Sequence, residues 1–376
     1  MKIVGGQSPK SLKILVFAFF IVYFTGILFA LKALYRETTA KLFEETKVIL
    51  GGNNELSRGN EKKYEVEIWS KAAIGLYLWT HILGGELEEQ SALIQTGTKE
   101  IKNLSFTFYT GPGLVPKTAS RNVTHLILVL NGRTEKKVSE AKIWLDSLPA
   151  YERLVRVSVV MLGNEQCDNN WILPYMQSRG GPVSVCFLTY DCPLVDEQEF
   201  FQWPLGVAVR FPNVRPEQVD LTSSRPYLCS FMGTIYKNSS REILMRVIQA
   251  SEKYQEECLV SDLTLSPVGV NTECYRIYEA LSMGSVPVIE DKVTVGRCDR
   301  TSPLRLLKKY HAPLLYLKDW SQLPWILHQD SLMPYSEKVA RRKTIVVWYK
   351  KFKISMSTVF TNIPIIFTEK NVKLTC

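Results

Sequence analysis

Arg276 and Glu279 stand three residues apart in the stretch SDLTLSPVGVNTECYRIYEALSMGSVPVIED, residues 261–291. It runs as an apolar strand, a loop with Pro267 and Gly269, a helical segment, then Gly284 and a second apolar strand. That order suits a phosphate site, because backbone amides at a loop and helix start can face a diphosphate. Arg276, in the first turns of the helix, can neutralise such a group bidentately. Glu279 projects from the same helix face and can accept hydrogen bonds from ribose hydroxyls. An i,i+3 ion pair on an exposed helix explains an isolated Arg-x-x-Glu equally well. The apolar Glu-Ala-Leu turn and the VPVIE strand that follow argue against an exposed helix.

Metal chemistry has less to build on. No Asp-x-Asp occurs, so the usual carboxylate pair that clamps a divalent ion onto a nucleotide diphosphate is missing, which favours metal-independent binding and implies no cofactor. His81, His125, His311 and His328 are far apart and show no metal-ligand spacing. The eight cysteines, Cys167, Cys186, Cys192, Cys229, Cys258, Cys274, Cys298 and Cys376, include no C-x-x-C pair, which disfavours zinc. Disulfides in an oxidising compartment and buried free thiols both stay open.

From Tyr64 onward short strand-like runs alternate with helical stretches, the pattern of doubly wound α/β domains. His125–Gly132, Arg156–Gly163 and Ser184–Asp191 read as strands that end in Gly or Asp. In an open parallel sheet ligands gather beyond the carboxyl ends of the strands, so these ends mark one wall of a cleft. Glu67–Leu83 has Ile68, Ala72, Leu76 and Leu83 at helical spacing and reads as an opening helix, with Trp69, Tyr77 and Trp79 as packing residues. After the connection FPNVRPEQVD a second unit follows: strand Tyr227–Thr234, helix Ser239–Ile248, strand Leu259–Leu265 and the strand VPVIE. The expected organisation is an N-terminal α/β domain over 64–215, a nucleotide-binding α/β domain over 225–330 and a helical tail over 331–376.

Residues number 376, enough for two cores; 46% are hydrophobic and 22% charged, which excludes extensive disorder. The net charge of +9 is spread over the chain rather than gathered in one run, so nucleic acid is not an expected partner. Ile14–Leu31 is an unbroken apolar run just long enough to span a bilayer. It exceeds a usual signal-peptide core and no small-x-small cleavage site follows, which favours a retained anchor over 14–34. Lys2, Lys10 and Lys13 tilt the 1–13 tail to the cytosol, and the polar stretch 35–63 reads as a stem. Asn103, Asn122 and Asn238 head N-x-Ser/Thr tripeptides that a lumenal chain could glycosylate.

The Arg-x-x-Glu-Ala-Leu run, its small-residue turn and its Pro-Val-Ile strand resemble the exostosin-like glycosyltransferases. KAAIGLYLW, LGNEQCDN, FQWPLGVA, RPYLC, GTIY-x-NSSR and SPVGVNTECYRIYEA, in that order, resemble more closely the ribitol 5-phosphate xylosyltransferases over almost everything after the stem. The resemblance implies two Rossmann-like halves facing a cleft (GT-B-like), preceded by a transmembrane helix and a stem, in the Golgi membrane. It implies inverting transfer of xylose from UDP-xylose to ribitol 5-phosphate in the O-mannosyl glycan of α-dystroglycan, with fukutin and fukutin-related protein as pathway neighbours. On it, Arg276 binds the donor diphosphate, Glu279 the ribose, and Ser266, Gly269 and Asn271 line the donor loop. Inverting transfer needs a base for the acceptor hydroxyl. The loop after the strand RVSVVML offers Glu165 first and Asp168 second, with loop capping as the alternative role of Asp168. One departure stands out: only a short connection separates helix from strand across 250–260, where related xylosyltransferases carry another strand and helix. A tethered lumenal binding or scaffold protein of the same fold, or a transferase of another sugar, are the rival readings.

Overall fold

The computed structural model describes residues 63–91, 93–249, 261–298 and 303–369. The expected tail, anchor and nearly all of the stem, and the short 250–260 connection, lie outside the described residues. No helix among the described residues is long and apolar enough to cross a membrane.

The chain is mixed α/β and builds two sheets. The first contains β1 (Tyr64–Ser70), β2 (Glu88–Ser91), β3 (Ile94–Ile101), β4 (Leu104–Thr110), β5 (His125–Asn131), β6 (Arg156–Leu162), β7 (Val183–Thr189) and β8 (Phe200–Trp203), in the order β2-β3-β4-β1-β5-β6-β7-β8. From β4 to β8 all neighbours are parallel, whereas β2, β3 and β4 form an antiparallel edge. The second sheet is wholly parallel: β9 (Tyr227–Ser230), β10 (Ser261–Ser266), β11 (Val286–Glu290) and β12 (Leu315–Leu317) pair in the order β12-β11-β10-β9. The helices are α1 (Ile74–Leu76, continued as a π-turn over Tyr77–Ile82), α2 (Glu135–Ser147), α3 (Ser240–Gln249), α4 (Tyr275–Ser282), α5 (Arg305–Lys309), α6 (Leu323–Leu332) and α7 (Tyr335–Glu369).

The expected strands at 125, 156, 184, 227 and 286 and the helix at 239 are all present to within a few residues. The opening helix is not. Residues 64–70 form β1, the central strand of the first sheet, with Ile68 opposite both Phe108 and Ile127. Val66 and Ile68 are buried on one face and Trp69 on the other, beside the exposed Glu65 and half-buried Glu67, so the strand alternates, and Ile68 falls by accident on a helical repeat with Ala72, Leu76 and Leu83. Helix begins only at Ile74. The sequence reading also passed over the β2–β4 meander, in which β3 carries no continuous apolar signal although β4 buries Leu104, Phe106 and Phe108 in alternation.

α7 is more than a tail. Phe360 packs against Phe106, Phe187 and Trp203 of the first sheet at ring separations of 5.4–6.4 Å. Two turns earlier Phe352 meets Tyr278 of α4 and Tyr310 beside the second sheet. One core therefore runs from Ile68 and Phe108 through α7 to Leu265 and Val288. A second core lies on the other face of the first sheet, where Trp69 packs on Trp144 of α2.

α7 is fixed at its start by charge. Arg342 is 2% exposed; its Nε lies 2.7 Å from Asp262 Oδ1 and its Nη2 3.1 Å from Oδ2, while Nη1 donates to the carbonyls of Leu221 and Ser223. Burial pushes the Asp262 carboxyl up, but hydrogen bonds and charge from Arg342, aided by Arg225 and Lys338, outweigh it and hold the group below the usual range. Its contribution to stability is therefore complete above the ordinary carboxyl pKa and is lost as pH falls through the depressed one. Arg342→Ala strands a buried carboxylate and is expected to cost about 3–5 kcal/mol, whereas Arg342→Met with Asp262→Leu is expected to recover most of that loss. Urea midpoints of the two variants check this, and equal losses would refute it.

Candidate active site

Two loops of the second sheet carry arginines. β9 runs out into Phe231-Met-Gly-Thr, and α3 opens with Ser240 and Arg241. Arg241 Nη1 donates to the carbonyl of Thr234 at 2.7 Å, and its guanidinium lies 5.4 Å from the Tyr236 ring. From the next loop, Arg276 on the first turn of α4 donates to the carbonyl of Met232 and lies 5.0 Å over the Phe231 ring. Each guanidinium rests against the other loop's glycine. A Cβ on Gly233 would come within 2.9 Å of Arg276 Nη2, and one on Gly269 within 3.0 Å of Arg241 Nη2. Glycine at both places lets two cations lie against bare backbone, which is how a loop approaches a diphosphate closely.

A cavity of about 410 Å³ lined by Phe231, Met232, Gly233, Thr234, Ile235 and Met245 opens beside them. Among the described residues, Arg241 Nε and the fully buried Ser266 Oγ, at the end of β10, have no hydrogen-bond partner. The i,i+3 ion pair between Arg276 and Glu279 is not formed. Glu279 instead accepts the Ala208 amide at 3.2 Å, and burial raises its carboxyl. Arg241 escaped the sequence reading as a functional residue; its signal was the pair of Gly-containing loops that flank it in space, and only one of those adjoins it in sequence.

The facing loop follows β6. Asn169 accepts the Asn164 amide through Oδ1, and Asn164 in turn accepts the Gln166 amide, both at 2.8 Å, so Gly163–Asp168 is wound on its own side chains. Glu165 forms an ion pair with Arg133 and accepts the Tyr190 hydroxyl at 3.3 Å. Asp168 points away to Arg297 at 3.1 Å and is 61% exposed.

These two predicted loops, 106 residues apart in sequence, touch: Asn271 Nδ2 donates to the Glu165 carbonyl at 2.8 Å. Asn271 Oδ1 takes the Glu273 amide, so this side chain is a clasp between loops. The Gly269 amide donates to Asn271 O at 3.3 Å, which curls the loop back on itself. A disulfide joins Cys167 to Cys298, and Arg297 N donates to Gln166 O at 2.9 Å, holding the Glu165 loop to the segment after β11.

Three buried carboxyls were not anticipated. Glu273 is wholly enclosed and pushed up to about 7 by burial, against hydrogen bonds from Tyr278 and the Leu205 amide. Asp191, at the end of β7, is raised to about 6 by burial, with Arg305 opposing the shift from 2.5 Å. Glu290, closing β11, holds Ser240 and Lys292. The possible acceptor asparagines Asn122 and Asn238 are exposed, and Asn103 sits half-buried in the β3–β4 turn.

The Cys167–Cys298 bridge closes 131 residues of chain and pins the Glu165 loop. Cys298→Ser is expected to lower stability by about 2–5 kcal/mol. It should also raise hydrogen exchange at the 163–168 amides above that of β6; equal protection in both would refute the clasp.

Sequence comparison completes this geometry. The RXYLT1 N-terminal domain model matches residues 66–204, and the RXYLT1 C-terminal domain model matches 209–260 and 249–366. The break between its two stretches falls on the short connection at 250–260. Ribitol-5-phosphate xylosyltransferase 1 of Danio rerio is 45% identical over 342 residues, covering 82% of this chain and 79% of the relative. That of Homo sapiens is 43% identical over 333 residues, covering 79% and 75%, and that of Mus musculus 41% over 345, covering 82% and 78%. Since 82% of 376 residues is about 308, the 342-residue alignment holds roughly thirty positions of the fish protein without a counterpart here. With both domain models matched in order and these identities sustained over about four-fifths of its length, the chain belongs to the ribitol-5-phosphate xylosyltransferase 1 family.

Proposed function

We propose that this chain transfers xylose from UDP-xylose to a ribitol 5-phosphate acceptor with inversion, forming a β-1,4 linkage. Its relatives carry the name ribitol-5-phosphate xylosyltransferase 1. The observation that carries the reading for these residues is the meeting of the Glu165 loop with the arginine-bearing loops through Asn271. The two sheets act as Rossmann-like halves of a GT-B-like architecture, with the donor on the second. Arg241 and Arg276 take the diphosphate without a metal, Ser266 and Gly269 line its loop, and the free oxygen of Glu279 takes the ribose. Glu165 removes the acceptor hydroxyl proton as that oxygen attacks the anomeric carbon; the bond from that carbon to UDP breaks, and UDP leaves with the electron pair. The two guanidiniums stabilise the charge that develops there.

The disulfide accords with an oxidising compartment, and Asn122 and Asn238 lie exposed, as glycosylation requires. We therefore extend the proposal to a single-pass type II protein of the Golgi membrane whose catalytic part is lumenal. It would act on the O-mannosyl glycan of α-dystroglycan alongside fukutin and fukutin-related protein.

The full-length chain incubated with UDP-xylose and ribitol 5-phosphate should yield a xylosylated product by mass spectrometry, and its absence sinks the assignment. Arg241→Ala and Arg276→Ala are each expected to weaken UDP binding about tenfold or more while leaving the melting temperature in place. Unchanged affinity would return either residue to a surface role. Glu165→Gln should lower kcat by roughly a hundredfold or more with UDP affinity retained; a normal kcat would move the base elsewhere.

A further inference from the structure

A cavity of about 400 Å³, separate from the one beside Arg241 and Arg276, opens on the first-sheet side of the Glu165 loop. Asn131, Arg133, Thr134 and Lys137 form one wall, the 164–166 loop another, and Val270 of the facing loop closes it. Its size is that of a small-molecule site. Its polar lining is uneven: two cations face a single carboxylate, Glu165. Arg133 is held in place by its backbone, since its amide donates to Asn131 Oδ1 at 3.0 Å and its carbonyl accepts Asn164 Nδ2 at 3.1 Å. Lys137 comes from the first turn of α2, where Thr134 caps its amide.

We propose that this cavity receives the acceptor and that Arg133 and Lys137 bind its phosphate, a subsite that rests on the transfer reaction proposed above. The charges favour it. Among the described residues Lys137 is otherwise paired only with Glu140, at 2.6 Å and with both side chains more than 40% exposed, an ion pair of little strength. Arg133 is engaged by Glu165, which pairs with this one cation, whereas a phosphate ester between Arg133 and Lys137 can be held by both cations at once. A phosphate entering between Arg133 and Lys137 competes with Glu165 for the guanidinium. Winning that competition frees the carboxylate to take the hydroxyl proton of the same bound molecule. An unphosphorylated alditol has nothing to exchange for Glu165 and meets a base still tied to its arginine. The subsite thus selects for a phosphorylated acceptor both in binding and in activation.

Binding is measured by titration calorimetry of the full-length chain with UDP present, using ribitol 5-phosphate and ribitol as probes. The wild type is expected to bind ribitol 5-phosphate at least about tenfold tighter than ribitol, with inorganic phosphate competing. Lys137→Glu and Arg133→Gln are expected to bring ribitol 5-phosphate close to the ribitol value without altering UDP affinity. Lys137→Ala, at an exposed position, serves as a second and milder variant. Unchanged ribitol 5-phosphate affinity in all three, or an equal loss for both probes, overturns the subsite. If the wild type binds ribitol 5-phosphate and the variants lose it while no xylose is transferred, the subsite stands and the transfer reaction is what fails.

Discussion

Buried charge at Arg342 and Asp262 sets the position of everything downstream. The pair ties the start of α7 to the second residue of β10, and α7 then runs its aromatic side chains across onto the first sheet. A long helix whose two ends pack on different sheets fixes their mutual orientation more firmly than loops could, because its own hydrogen bonds resist bending. Asp262 sits four residues before Ser266, so the strand that anchors α7 is the strand whose far end opens the loop carrying Gly269 and Asn271. The position of that loop is therefore set at one end of β10 and used at the other.

At the used end, the loops meet through short contacts of different kinds. Asn271 supplies an amide, Cys167 and Cys298 a covalent bond, and Asp168 with Arg297 an exposed ion pair. The ion pair is the weakest of the three, since water screens it. The covalent bond and the buried amide define the approach, and they leave the Glu165 side chain free to exchange partners while its backbone stays fixed.

The parallel strands were legible because each is a short apolar run closed by Gly or Asp, and the donor loop was legible because strand, loop and helix follow one another without interruption. The central strand β1 was misread because its Ile68 falls by chance in helical spacing with Ala72, Leu76 and Leu83, which lie beyond the strand, in and around a true helical turn. The meander β2–β4 was missed although β4 alternates cleanly, with Leu104, Phe106 and Phe108 buried; β3, whose side chains are mostly partly exposed, gave no apolar signal. Arg241 and the Arg133–Glu165 pair were hidden for a different reason: their partners lie on other loops, and a contact between Gly269 and Arg241 leaves no local pattern. The same holds for Cys167 and Cys298, whose pairing depends on the two sheets being already in place.

The short connection at 250–260 bears on the fold more than on the chemistry. In the second sheet β9 and β10 are direct neighbours, although a helix and that connection separate them in sequence. A strand and helix inserted there cannot come between β9 and β10, whose register is already filled by Tyr227 against Ser261 and Cys229 against Leu263. Gly233 and Arg241 precede the interval, and Ser266, Gly269, Asn271, Arg276 and Glu279 follow it. The parallel pairing of β9 with β10 brings those two groups to the same end of the sheet whatever the length of the link. A unit outside β9 would add breadth to the sheet and cover its edge without supplying any of the groups that meet at Glu165.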